Sequence, residues 1–290
     1  MDLPIRRTLS TGLSFAFTRP GALLVVAFAL ASAVQVGLVY ALATAYVPMS
    51  VPGTPPAAAP TPGTSLPLSI AVAAGSLGVV TGGLLTAPVQ VVAARVMVAD
   101  PRRRLPDELV FHRLGWASLN TLAGGLGQLV LFLCFEALTI GLVGYAVLRY
   151  APRAVLRLTA VASPRVVVFV AFAVLSLPAL FVMVSFSFVP HSIALRDRNA
   201  ARAFVESWRT TRGNRLRILA VLLGPMAAQL LVSQGIQVAF PDPTMTSVVA
   251  IQAVSLVVGA VVAVLNTTLL TRAYLSLGDG VPPLGGWQWE

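Results

Sequence analysis

Between Arg19 and Arg95 the chain carries no charged side chain, and beyond Arg95 long apolar runs keep alternating with short connections in which arginine dominates. A run of about twenty apolar residues is what a helix needs to cross the hydrocarbon core of a bilayer. Because no water there satisfies backbone N–H and C=O groups, a segment of that kind must close its hydrogen bonds internally, as a helix. The pattern predicts an all-α fold, a polytopic membrane helical bundle. Composition agrees: 57% of the 290 residues are hydrophobic and 10% are charged, against about 25% charged in a soluble domain.

Six spans are predicted, at roughly 21–46, 68–98, 119–148, 166–189, 218–240 and 247–270, and the whole chain is read as one integral membrane domain. The first resembles a signal peptide in its Ala41-Leu42-Ala43 and in Arg6-Arg7, but its apolar run exceeds a signal core and another span follows, which favours a retained helix. Residues 47–67 are rich in proline and uncharged, an extended extracytoplasmic loop. The second span is expected to break at Pro88 and end at Arg95. The fourth contains Pro178 and is expected to stop at Pro190-His191.

All 20 basic residues are arginine, and they set the orientation. With the N-terminus inside, sixteen arginines fall on the inner side, and only Arg149, Arg153, Arg157 and Arg165 fall outside. Both termini are therefore expected in the cytoplasm, in the cell membrane. The net charge of +10 sits at the ends of apolar segments rather than on one polar face. That distribution fits anionic phospholipid head groups and argues against nucleic acid.

Residues 198–213 read as a cytoplasmic amphipathic helix. Ala201, Phe204, Val205 and Trp208 would form its apolar face and Arg198, Arg202, Glu206, Arg209 and Arg212 its polar face, with Asp197 or Asn199 as N-cap, Gly213-Asn214 as terminator, and Glu206 paired to Arg202 and Arg209. Arg198, Arg202, Trp208, Arg209 and Arg212 are the candidate contacts for lipid or for a protein partner at the cytoplasmic face. Similar polar and aromatic prefaces, TLSTGLSFAFTRPG and ELVFHRLGWASLN, precede the first and third spans. They raise the expectation of three repeats, each an interfacial helix followed by a two-span hairpin.

Few residues carry chemistry. Cys134 is the only cysteine, so no intramolecular disulfide or thiolate metal site is expected. His112 and His191 stand apart without HExxH spacing, and no P-loop or dinucleotide fingerprint occurs. No cofactor, metal or catalytic residue is expected, and the chain is read as not an enzyme. Glu136 is the one acid deep in a span; with Gln128, Gln90 and Asn266 it forms a candidate intramembrane polar site. Its bland reading is a hydrogen bond between helices. His191 is read as a head-group anchor or a group titrating near neutrality. Gly78, Gly82, Gly124, Gly125, Gly127 and Gly259 are read as places where helices approach closely.

A proline within an apolar span, the exit VPHSIALRDR and then AFVESWRTTRGNRLRIL resemble the six-span membrane domain associated with glycerophosphoryl diester phosphodiesterases, and related uncharacterised prokaryotic membrane families. Ala203, Ser207, Gly213 and Asn214 occupy the matching positions. The resemblance implies six spans and a membrane location. It does not imply phosphodiesterase chemistry, which in that family resides in a separate soluble domain. The function expected is a non-enzymatic scaffold or accessory component; the alternatives are a transport component with a polar path near Glu136, and a lipid-handling enzyme.

Overall fold

The computed structural model describes residues 14–15, 18–46, 68–98, 110–150, 175–239 and 245–277. Its helices, in chain order, are α1 (Arg19–Tyr46), α2 (Leu68–Val98), α3 (Leu114–Tyr150), α4 (Leu177–Ser185), α5 (Val189–Arg196), α6 (Ala200–Thr211), α7 (Arg215–Ala239) and α8 (Met245–Leu277). Counting α4 and α5 as one interrupted rod, six helical segments are long and apolar enough to cross a membrane. The predicted loop at 47–67 and the arginines Arg153, Arg157 and Arg165 lie outside the described residues.

α2 is the hub, packing against α1, α3, α5 and α8, while α7 closes the bundle against α8 and α4. One core gathers around α5, where Phe188, Val189, Ile193 and Leu195 meet Val91 of α2, Ala117 of α3, Ile218 and Val221 of α7 and Tyr274 of α8. A second joins Leu24 and Phe28 of α1 to Ala93 and Met97 of α2 and Val264 of α8. On α1 the buried Leu24, Phe28 and Ala31 alternate at helical spacing with the exposed Leu23, Val26, Leu30 and Val34. An outward apolar stripe of that kind suits hydrocarbon rather than water.

Several boundaries differ from expectation. α2 keeps the expected bounds, 68–98, but runs unbroken through Pro88, and Arg95 lies in its last turn, fully buried rather than at a water boundary. α3 begins at Leu114, so most of the preface to the third span is the first turns of the span itself. The first preface falls largely outside the described residues, which leaves α6 as the one preface described as a separate helix. α8 extends seven residues past the expected 270, carrying Arg272 and Tyr274 inside it.

The fourth span does not stop at Pro190. It breaks at Phe186–Phe188 and resumes as α5, with Pro190 in the first turn, where a missing N–H costs nothing. The break is a proline effect: residue 190 offers no N–H, and the Val189 N–H turns to the Phe186 carbonyl at 3.1 Å. The Ser185 carbonyl is left without its helical partner. α6 supplies the replacement, as the hydroxyls of Ser207 (3.0 Å) and Thr211 (3.2 Å) both donate to it. The Phe188 N–H in turn donates to the Ser207 hydroxyl at 3.2 Å.

Candidate functional site

The charged side chains that the bundle does bury converge where α5 turns into α6. α5 ends at Arg196, and Asp197 then takes a left-handed conformation, φ 50° and ψ 33°. That turn throws the Asp197 carboxylate back towards α2. Arg95 meets it, with Nη2 3.8 Å from Oδ1, while His112 Nε2 lies 3.3 Å and Arg113 Nη1 4.0 Å from Oδ2. Arg95 also donates to three carbonyls: from Nε to Ala194 at 2.9 Å, and from Nη1 to Val110 at 3.1 Å and His112 at 2.6 Å. The Ala194 carbonyl belongs to the last turn of α5, where no intrahelical donor reaches it, so a buried guanidinium does the work of a C-cap.

The second cluster centres on Glu206 of α6. It accepts from the Ser192 hydroxyl at 2.8 Å, from Arg196 Nη1 at 2.7 Å and from the Tyr274 hydroxyl at 2.5 Å, with Arg198 Nε 3.6 Å away. α5, α6 and α8 are thereby fastened at one carboxylate. The expected pairing of Glu206 with Arg202 and Arg209 is corrected: the side chain points into the bundle, because two arginines and two hydroxyls are waiting there.

α6 packs on the bundle by a face other than its large apolar one. Its buried face is Ala203, Ser207 and Thr211, small residues one turn apart that let the helix lie close against α4 and α5. Val205 and Trp208, assigned to the apolar face, are exposed. Phe204 packs on Phe186, ring centroids 5.1 Å apart, and approaches Gly127 of α3. Asn199 is the N-cap, accepting from the Arg202 N–H at 2.9 Å, and Asp197 is not. Gly213 closes the helix at φ 92°, a conformation that costs a residue with a Cβ about 1–2 kcal/mol.

Of the residues singled out for lipid or partner contact, Arg202, Arg209 and Arg212 are exposed, and Trp208 is 39% exposed. Arg198 is half exposed but leans on Glu206. A residue not singled out completes this surface. Arg215, the first of α7, lays its guanidinium over the Trp208 ring at 4.1 Å and the Phe181 ring at 4.5 Å.

The four polar residues proposed within the spans make no hydrogen bond or ion pair with one another among the described residues. Glu136 is half-buried on a stretch of α3 whose neighbours Leu133, Cys134, Phe135 and Leu138 are exposed. Gln128 instead lines an apolar groove of about 350 Å³ between α3 and α4, with Gly125, Leu129, Phe132, Val182 and Met183. His191 is buried within the bundle, with Nε2 3.4 Å from the Thr267 carbonyl and its ring edge-on to Phe188, so its side chain is closed to head groups. Close approach holds at Gly124, where an added Cβ would meet Val189 at 2.8 Å, and at Gly82 and Gly127. Gly125 and Gly259 meet nothing within 4 Å, and Gly78 lies among side chains outside the description.

The sequence reading offers Asp197 only as an N-cap and leaves out the interactions of Arg95 and Ser207. Of these two only Ser207 carries a signal, as one of the positions in the family resemblance. Each cluster ties helix ends together, and among the described residues no group of three or more histidines, cysteines or acids is placed to hold a metal ion. No curated protein and no solved structure matches the chain. Over residues 3–277 it matches the family described as Domain of unknown function (DUF7847). Both charged clusters and the eight helices among the described residues fall within that match, and the chain belongs to this family.

Proposed function

We propose that the protein is a non-enzymatic scaffold or accessory component of the cytoplasmic membrane, spanning it six times with both termini inside. It would hold α6 at the inner face as a basic platform for phospholipid and for a protein partner. The observation that carries this reading is how the charges divide. Arg95, Arg196, Asp197 and Glu206 are engaged with one another's helices, whereas Arg202, Arg209 and Arg212 face outward with no acid paired to them among the described residues. Buried charge serves position, and exposed charge is left for something else. Sixteen arginines on one side support the orientation.

A photo-crosslinking residue placed at Arg202 or Arg209 in living cells tests the platform. The scaffold reading expects a discrete protein adduct at one of these positions and none from the same residue at Leu30, on the outward stripe of α1. Equal, diffuse adducts from all three would remove the platform. Glu136→Gln is expected to leave the adduct unchanged; its loss would favour the transport reading.

A further inference from the structure

Arg215 differs from the other arginines of the junction in being positioned without being paired. Its guanidinium is held by two aromatic faces, Trp208 at 4.1 Å and Phe181 at 4.5 Å, which fix its plane but use none of its N–H groups. Nε and Nη2 are shielded from solvent and make no hydrogen bond. The nearest acids in sequence are committed elsewhere, Glu206 to Arg196, Ser192 and Tyr274, and Asp197 to Arg95 and His112. An unpaired, oriented guanidinium in a partly apolar setting is costly unless an anion completes it.

The surroundings identify the kind of anion. Arg212 follows Trp208 by one helical turn, its own N–H bonded to the Trp208 carbonyl at 3.2 Å, and its side chain is exposed three residues before Arg215. Leu216, next to Arg215, is 82% exposed, and Val205 is exposed on α6. The helix that supplies Phe181 also lines, through Val182 and Met183, the apolar groove against α3. Basic groups, an aromatic shelf and bare aliphatic side chains together match a phosphate joined to hydrocarbon, not a free ion or an acidic peptide in water.

We infer that Arg215, stacked between Trp208 and Phe181 and seconded by Arg212, binds the phosphate of one anionic phospholipid of the inner leaflet. The inference rests on the reading of the chain as bilayer-embedded and deepens it by naming the lipid class and the residue that holds it. Arg215 and Arg212 together offset the phosphate charge, and the acyl chains run past Leu216 along the bundle.

The test uses the full chain purified in a neutral detergent, with the thermal unfolding midpoint followed as phosphatidylglycerol, phosphatidylcholine or glycerol phosphate is added. Phosphatidylglycerol is expected to raise the midpoint and the other two to leave it unchanged. Arg215→Gln and Arg215→Met, each compared with its own lipid-free midpoint, are expected to weaken the apparent affinity about tenfold. Methionine fills the aromatic slot and keeps the proposal open to refutation if the glutamine variant does not fold. Arg202→Gln, on the outer face of α6, is expected to lower affinity less than about threefold.

Full retention of the lipid shift in either Arg215 variant overturns the site. Equal losses from Arg202 and Arg215 variants overturn it in favour of diffuse charge attraction, and an equal shift from glycerol phosphate overturns the lipid as the ligand. Alkaline carbonate extraction of cell membranes checks the underlying reading separately. Release of the protein into the supernatant refutes bilayer insertion, whereas retention with no phosphatidylglycerol shift refutes this site alone.

Discussion

Arg95 is the residue on which the packed end of the bundle most depends. It is 0% exposed and answers three carbonyls and one carboxylate from two other parts of the chain. Removing one partner from a buried, hydrogen-bonded charge set leaves the others desolvated and unmatched, at about 3–5 kcal/mol. Arg95→Met, which keeps the aliphatic stem and drops the donors, is expected to lower unfolding free energy by that amount in detergent titrations. A loss below about 1 kcal/mol would show that water or lipid replaces the guanidinium at no great expense. At this scale the sequence was least legible. An arginine at the end of an apolar run reads as the end of a span, since a charge normally marks the water boundary. Nothing in spacing announces that a carbonyl 99 residues away is waiting for it. Glu206 is misassigned for a related reason: its arginines at i−4 and i+3 are visible in sequence, and Ser192, Arg196 and Tyr274 are visible only in space.

Among the elements, the pair α4 and α5 with α6 laid across their break forms the least conventional unit. A proline-interrupted rod exposes backbone groups that a bilayer would not satisfy, and the hydroxyls of Ser207 and Thr211 satisfy them. Ser207→Ala deletes one donor and one acceptor next to the buried Phe188 N–H, and an unsatisfied buried group costs about 1–3 kcal/mol. The expected result is a drop of that size, with the Thr211 bond to Ser185 limiting it; an unchanged midpoint would mean the break is not held by α6. Packing between α3 and α5 allows a sharper contrast. Gly124→Leu drives a side chain into Val189, 2.8 Å from the added Cβ, whereas Gly125→Leu opens onto the groove. Overpacking costs about 1–3 kcal/mol, so the first variant should melt lower than the second by that margin, and a reversed order would contradict the helix register. Helix existence was legible here from apolar length, and α6 from its polar periodicity and its Asn199 and Gly213 ends. Which face of α6 turns inward was not. Large apolar side chains usually mark the buried face, but close contact against α4 and α5 selects small ones.

At the scale of the whole bundle, buried apolar residues among the described ones gather at one end, and exposed apolar residues at the other. The core surrounds α5 and the neighbouring ends of α2, α3, α7 and α8, while α3 beyond Val130 and α7 beyond Leu223 present Leu133, Phe135, Leu138, Leu230 and Leu231 outward. Aliphatic surface on that scale would drive aggregation in water and is ordinary in lipid. Six apolar segments, the all-helical class and the segregation of arginine are all set by composition along the chain, and so they were readable without coordinates. The three-part repeat was inferred from prefaces that look alike, and the second of them became the start of α3. Cysteine labelling in intact cells with a membrane-impermeant maleimide tests directly the proposed placement of α6 at the cytoplasmic face of a six-span bundle. In a Cys134→Ser background, a cysteine at Thr61 is expected to label from outside, and cysteines at Ala201 and Arg209 only after the cells are permeabilised. Labelling at Arg209 in intact cells, with Thr61 protected, would invert the topology and contradict the account.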